Sequence, residues 1–308
     1  MKKLIVTTSP HLRSQVTTQR IMLDVLLALS PAVIASLVLF DLRALLVLCV
    51  TVASCVGSEF LFNLACKKEQ TVSDLSAAVT GVLLALTLPA STTVWQCIVG
   101  GAFSIVIVKC FFGGLGNNFA NPAITGRVFM LLAFTEVGAA VAPNFAELEG
   151  GATPLFTMQN GGALPELWEM LLGLRGGAIG EGCAIALLLG GAYLVWRRVI
   201  RWEVPVTFIL TVFVLSWIME GSLELAVYHV LAGGLLIGAI FMATDYVTTP
   251  LNFVGKLVFA FGAGLITVLI RFFGSYPEGV SFGILLMNIL SPYIEKWTMK
   301  KPFGGKTE

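Results

Sequence analysis

Charged side chains are scarce in this sequence, and that scarcity limits the solvent in which the chain can fold. Asp, Glu, Lys and Arg make up 12% of the 308 residues, about half the share of an average soluble domain. Hydrophobic residues reach 57%, and the mean hydropathy is +0.90. These values predict an integral membrane protein. The net charge of +1 argues against a nucleic-acid-binding protein, because basic residues are dispersed in short segments and form no single surface.

Cysteine motifs are also lacking. The six cysteines have neither CxxC nor zinc-type spacing. Five lie in or beside apolar runs, where a cysteine is ordinarily a small buried hydrophobic residue. Ligation of an iron–sulfur centre shared with another subunit at the membrane edge is the alternative. The six are Cys49, Cys55, Cys66, Cys97, Cys110 and Cys183.

Catalytic signatures are missing as well. The glycine pairs 176–177 and 233–234 lack the strand and helix context of a P-loop or dinucleotide fold. Close helix packing is the simpler interpretation of both. No arrangement for general acid–base catalysis is visible, so we predict no catalytic residue and no metal site. The first 20 residues lack the apolar core and cleavage site of a signal peptide, so we expect them to be retained.

Long apolar runs are what the sequence does contain. A helix needs about 20 apolar residues to cross the hydrocarbon, since no water is present there to satisfy backbone groups. Ten runs reach or approach that length, and the third and eighth are short. They span 21–40, 44–63, 74–89, 94–112, 123–142, 178–195, 204–219, 225–242, 252–271 and 279–295. The sequence therefore predicts an all-α, polytopic membrane protein of about ten transmembrane helices.

The distribution of basic residues predicts the orientation. With a cytoplasmic N-terminus, sixteen of the 19 Lys and Arg residues fall on the cytoplasmic side. Only Arg43, Arg175 and Arg271 fall outside. Both termini are then cytoplasmic, and the acidic segment 143–177 forms an extracytoplasmic loop.

Two stretches recur in the same order in both halves. Residues 81–92 match 234–245, and residues 111–114 match 272–275, with offsets of 153 and 161 residues. Because each half holds five helices, the two copies have opposite orientations, as in many transporters. Chance matching of glycine and leucine is the alternative.

The repeat divides the chain into three parts. We predict a first membrane repeat with its cytoplasmic N-terminal segment at 1–142, the outer loop at 143–177 and a second membrane repeat at 178–308.

Polar, proline-containing segments interrupt both halves. Residues 117–127 open the fifth helix, and residues 242–250 follow the eighth. The amides of such helix ends point at an anion or a ligand dipole. An ordinary capped helix start is the alternative for each segment alone. Since the segments occur in opposite halves, we predict that they approach each other and form a binding site.

Ionisable residues within apolar runs are candidates for an ion path, because a charge at a helix centre costs about 2.5 to 3.5 kcal/mol. These residues are Asp24, Glu59, Glu136, Glu181 and His229. Most lie near helix ends, where an interfacial position is the simpler interpretation. Glu59 lies deeper in its run, and we rank it with Asp245 as the first ion-path candidates.

Four motifs together resemble the family of D subunits of the Rnf electron-transport complex, which is related to the B subunits of sodium-pumping NADH:quinone oxidoreductases. They are Ser-Pro-His-Leu-Arg-Ser at 9–14, Asn-Pro-Ala-Ile-Thr-Gly-Arg at 121–127, Gly-Ala-Thr-Pro-Leu at 151–155 and Phe-Met-Ala-Thr-Asp with its later proline at 241–250. The resemblance runs the length of the chain and implies a ten-helix inverted repeat similar to urea transporters.

The resemblance also implies a cofactor. In that family the threonine of the Gly-Ala-Thr motif carries FMN through a phosphoester bond, which corresponds here to Thr153 with Gly151 and Ala152 before it. Gly150 stands where the family commonly has Ser or Thr. We expect the Thr153 hydroxyl to be exposed in a glycine-rich loop and free of helix hydrogen bonds.

The second predicted site is the crevice between the two broken segments, for a flavin or an ion. Its candidate residues are Asn121, Arg127, Thr244 and Asp245. A noncovalent flavin such as riboflavin is a candidate second cofactor.

Membership of this family implies a plasma-membrane component of a ferredoxin:NAD⁺ oxidoreductase that moves Na⁺ or H⁺ outward. Its partners would be membrane lipid and the A, B, C, E and G components of the Rnf complex. A flavin-free channel or transporter on the same inverted-repeat fold is the alternative function.

The first prediction concerns topology. A cysteine introduced at Asn160, in a variant without the six native cysteines, should react with a membrane-impermeant maleimide from the outer face. A cysteine at Lys67 should react only after the membrane is opened. Reaction of residue 160 from the cytoplasmic face alone would reverse the predicted orientation.

Overall fold

Apolar helices form most of the protein, in agreement with the all-α prediction. The computed structural model describes residues 16–134, 153–159, 162, 164–274 and 278–299. The helices are α1 (Thr18–Ala65), α2 (Ser76–Thr87), α3 (Val94–Ala102), α4 (Pro122–Ala133), α5 (Pro154–Gln159), α6 (Leu167–Leu172), α7 (Ala184–Trp196), α8 (Glu203–Glu220), α9 (Leu223–Leu231), α10 (Leu235–Ile237), α11 (Phe253–Phe273) and α12 (Val280–Thr298). π-Helical stretches, Phe103–Cys110 and Gly238–Met242, continue α3 and α10.

The long helix α1 is two helices joined at one residue. Asp41 has φ 51° and ψ −143°, which no helical residue adopts. The break falls between the predicted runs 21–40 and 44–63. It allows the chain to change direction, as two separate spans require.

Among the described residues, three helices are long and apolar enough to cross a membrane when the two parts of α1 are counted together: α1, α8 and α11. A fourth span is formed if α9 is counted with the stretch Leu235–Met242, although the two are bent by 65°. Four further apolar helices are shorter, at 10–17 residues. Helices therefore occur in every predicted run, while the count of ten spans stays a prediction.

The segment predicted as an outer loop contains two short helices, α5 and α6. Residues 135–152, 160, 161 and 163 lie outside the described part of the chain, so the end of the predicted fifth helix and much of this loop have no structural account. α6 begins with a capping box, in which the Glu169 side chain accepts from the Glu166 N–H.

One apolar core extends through both halves. In the first half α1 packs on α2 and α3, and in the second α11 packs on α8 and α12. Contacts of α1 with α7 and of α4 with α12 join the halves. Buried residues from most of these helices form a single cluster. The inverted symmetry itself stays a prediction.

Glycines allow the helices to approach closely. A Cβ on Gly190 of α7 would lie 2.2 Å from the Ala28 carbonyl oxygen of α1. A Cβ on Gly233 would lie 2.9 Å from the Leu155 side chain. Gly233 has φ 65° and lies outside a helix, so the interpretation of the 233–234 glycine pair as a helix-packing feature stays a prediction.

The second prediction follows from the contact at Gly190. Gly190→Ala should destabilise the fold by about 1–3 kcal/mol, because a backbone oxygen cannot move aside for the new methyl group. Gly57→Ala is the matched control, since a Cβ at Gly57 meets nothing within 4 Å. Thermal unfolding in detergent measures both variants. Equal unfolding midpoints would contradict the close approach of α7 and α1.

Candidate functional site

The two broken segments meet through Asn121. Its Oδ1 accepts hydrogen bonds from the backbone N–H groups of Ala123 and Ile124, at 3.0 and 3.4 Å, and so caps α4. Its Nδ2 donates to the Met242 carbonyl oxygen at 3.2 Å. Met242 ends the π-helical stretch of the second half. The predicted approach of the two segments is therefore confirmed.

A cavity of about 90 Å³ lies beside this contact. Asn121 lines it from the first half, and Thr244 and Asp245 line it from the second. Apolar side chains such as Val79, Leu83 and Phe241 complete the wall. The arrangement combines an apolar pocket with a few convergent polar groups, as ligand sites do.

Asp245 lies in the turn after the π-helical stretch. Its carboxylate accepts hydrogen bonds from the Val247 N–H at 3.1 Å and from the Thr248 hydroxyl at 3.3 Å. Burial raises the pKa of this carboxyl above its ordinary value, and the two hydrogen bonds oppose the rise. Asp245 is thus a fixed acceptor at the wall of the cavity.

Glu59 is paired with Lys109. Lys109 entered the sequence prediction only as one of the basic residues on the cytoplasmic side. Lys109 is fully buried, and its Nζ lies 2.7 Å from the Glu59 Oε1 and 2.6 Å from the Ser76 Oγ. The Thr71 hydroxyl donates to the same Oε1 at 2.6 Å. Lys109 and Ser76 also line the central cavity. A buried carboxylate needs such a partner, so the depth of Glu59 in its run was the signal for one.

Arg127 points away from Asn121. Its Nη2 forms a 3.0 Å ion pair with the Glu278 Oε2, and both line a separate cavity of about 10 Å³ with Glu181. Arg127 was predicted to share a site with Asn121, but it lies six positions further along the chain, which at a helix start corresponds to a rise of about 9 Å. Glu181, expected at the interface, is buried beside Gly177 and Gly234.

The Thr153 hydroxyl is neither exposed nor free of hydrogen bonds, contrary to the prediction. Thr153 is only 9% exposed, and its Oγ1 accepts a hydrogen bond from the Phe156 N–H at 3.2 Å. The prediction of an exposed hydroxyl free of helix hydrogen bonds was wrong, because a threonine followed by Pro154 is an N-cap signal. Gly151 and Ala152 lie outside the described residues.

A larger cavity, of about 390 Å³, lies beside α5. Leu155 and Met158 of α5 line one side, and His229, Arg271 and Phe272 line the other. We call it the α5 cavity. Exposed Glu220 and Gly274 form its rim. Nothing in the sequence patterns indicated it, since its walls come from three segments that lie at least 42 residues apart in the chain.

Two arginines hold the end of α9. The Arg175 Nη2 donates to the Leu231 carbonyl oxygen at 2.6 Å. Arg271 donates from Nη1 to the His229 carbonyl oxygen at 2.5 Å and from Nη2 to the Ala232 carbonyl oxygen at 3.1 Å. Both arginines were predicted on the outer side, and they meet at one place.

Among the described residues, no group of three or more His, Cys, Asp and Glu side chains could hold a metal ion. Of the cysteines, Cys55, Cys97 and Cys110 are buried, Cys183 is half-buried, and Cys49 and Cys66 are exposed.

Comparison with known proteins gives one family. Residues 5–304 match the family described as NQR2, RnfD, RnfE. The chain is 41% identical over 307 residues to the D subunit of the Na⁺-translocating ferredoxin:NAD⁺ oxidoreductase complex of Acetobacterium woodii, and the match covers 98% of this chain and 95% of the relative. It is 38% identical to the D subunit of the proton-translocating ferredoxin:NAD⁺ oxidoreductase complex of Clostridium ljungdahlii, with 98% and 96% covered. The D subunit of the ion-translocating oxidoreductase complex of Halorhodospira halophila is 35% identical, with 96% and 94% covered.

The third prediction concerns the buried ion pair. Lys109→Met should destabilise the protein by about 3–5 kcal/mol, because it leaves the Glu59 carboxylate buried without a cation. The double variant Glu59→Gln with Lys109→Met should recover most of the loss. Lys296→Met, at an exposed position, is the control.

Thermal unfolding of the detergent-purified protein measures the three variants. A double variant no more stable than Lys109→Met alone would mean that the two side chains do not depend on each other.

Proposed function

Since the chain belongs to the NQR2, RnfD, RnfE family, we propose that it carries FMN on Thr153 and couples electron transfer to the movement of Na⁺ or H⁺ across the membrane. Its relatives are named as D subunits of ion-translocating ferredoxin:NAD⁺ oxidoreductase complexes. We propose the corresponding place for this chain, in the plasma membrane with both termini in the cytoplasm. Its partners would be the A, B, C, E and G components of the complex.

The observation that supports the flavin proposal is the position of the Thr153 hydroxyl. Thr153 directly precedes α5 and caps its first turn. Leu155, two residues later, lines the α5 cavity. The Oγ1 acts as a hydrogen-bond acceptor toward Phe156. An ester oxygen keeps a lone pair, so a phosphoester at Oγ1 is compatible with this cap. The described residues therefore fit the group, and a bound flavin would supply one- and two-electron redox chemistry there.

The ion that we propose is Na⁺ or H⁺. The relative at 41% identity is named for Na⁺ and the relative at 38% for protons, so similarity does not separate them. We propose that the central cavity beside Asn121 lies on the ion path. Asp245 supplies a carboxylate there, and Thr244 and Asn118 supply neutral oxygens. The Lys109–Glu59 pair is the second ion-path element that we propose, since Lys109 lines the same cavity.

Thr153→Ala tests the proposal. It removes the only oxygen of this residue that can form the phosphoester, so we expect loss of the covalent flavin and of electron transfer through the complex. It also removes an N-cap, which costs about 1 kcal/mol. Thr153→Ser keeps the cap and a hydroxyl, and should be as stable as the unaltered chain. Intact-protein mass, and flavin fluorescence after denaturation, measure attachment.

Thr157→Ala is the matched control, because Thr157 lies in the same short helix and its hydroxyl donates to the Pro154 carbonyl oxygen at 2.8 Å. This variant should keep the flavin. If Thr153→Ala keeps its flavin mass and full activity, the assignment is wrong and a flavin-free channel or transporter becomes the better description.

A further inference from the structure

The α5 cavity contains a histidine with an unused ring nitrogen. His229 is only 5% exposed. Its Nε2 lies 3.3 Å from the Glu220 Oε1, while its Nδ1 is buried and has no partner among the described residues. A buried polar atom without a partner costs about 1–3 kcal/mol. The Nδ1 of this residue at the cavity wall is therefore available for a hydrogen bond with a ligand.

The same cavity offers aromatic and apolar surfaces. The rings of His229 and Phe272 lie 5.1 Å apart between centroids and are tilted by 30°. Leu155 and Met158 face them from α5. A volume of about 390 Å³ lies within the range of small-molecule sites, about 300–1,000 Å³. The cavity thus suits a flat, mostly apolar ring system with polar groups at one edge.

Arg271 places a positive charge at the wall of the cavity. It is buried, and it holds the carbonyl groups at the end of α9. Its guanidinium group is therefore fixed in position. A cation held next to a flavin stabilises negative charge on the reduced ring.

We propose that the α5 cavity holds the isoalloxazine ring of the flavin attached to Thr153, with His229 and Phe272 as the residues that position it. This inference rests on the proposed function. Thr153 is two residues from Leu155, at most about 7 Å along an extended chain, so the flexible ribityl phosphate needs to span little distance. With Nε2 donating to Glu220, the His229 Nδ1 is an acceptor, and the N3–H of a flavin is a matching donor.

The test uses the full-length chain with its covalent flavin in detergent. Phe272→Leu and His229→Gln should both keep the flavin mass at Thr153. In both, quenching of flavin fluorescence by iodide should increase several-fold, and the visible circular dichroism of the flavin should weaken, because the ring is no longer held. Phe273→Leu is the matched control. Phe273 is the next residue of α11, is 73% exposed and does not line the cavity.

Two results would overturn the inference. The first concerns only the position of the ring, and the second concerns the flavin itself. If Phe272→Leu and His229→Gln keep the flavin mass and match Phe273→Leu in quenching and dichroism, the ring lies elsewhere while attachment at Thr153 stands. If the unaltered chain has no flavin mass, the proposed function fails and this inference fails with it. Neither readout depends on the activity of the complex. If one of the two variants fails to fold, the other variant still tests the inference.

Discussion

The end of α9 poses the main physical problem of this fold. The helix stops before the next apolar stretch begins, and the carbonyl groups of His229, Leu231 and Ala232 are left without helical partners. In hydrocarbon each unsatisfied group costs several kcal/mol. Arg175 and Arg271 donate to all three. Because Arg175 comes from the central segment and Arg271 from α11, satisfying this break also joins the central segment to the second half.

Other contacts also join the central segment to α9. The Tyr228 hydroxyl donates to the Pro165 carbonyl oxygen at 2.5 Å. Leu155 and Met170 of the central segment pack with Tyr228 and Ala232 in a small apolar cluster. The helix that Thr153 caps is therefore packed against a fixed support. A redox group attached there would be held near the membrane-embedded helices rather than on a free loop.

Sequence patterns predicted the helices well because hydrophobic length is a local property. The Asn121–Pro122 start of α4 was also readable, since capping depends on neighbouring residues. The approach of the two broken segments followed from their occurrence in opposite halves. The partners of buried charges were not predictable in this way. Lys109 meets Glu59 across 50 residues, and Arg175 meets Leu231 across 56.

Counting basic residues by loop treats each of them as solvated. That assumption fails for Lys109 and Arg271, which are almost fully buried. Thr153 shows the opposite error, since glycine-rich surroundings suggested an exposed loop although the Thr-Pro pair signals a helix start. Local signals that compete, in this case loop composition against a cap, need tertiary contacts to decide between them.

The pairing of Lys109 with Glu59 has an electrical consequence. A single charge that crosses the full membrane potential gains or loses about 2.3 kcal/mol per 100 mV. Lys109 and Glu59 are oppositely charged and only 2.7 Å apart, so the field exerts nearly equal and opposite forces on them. Moved together, the two side chains do almost no electrical work. The pair therefore adds almost no voltage dependence to the stability of the helices that carry it.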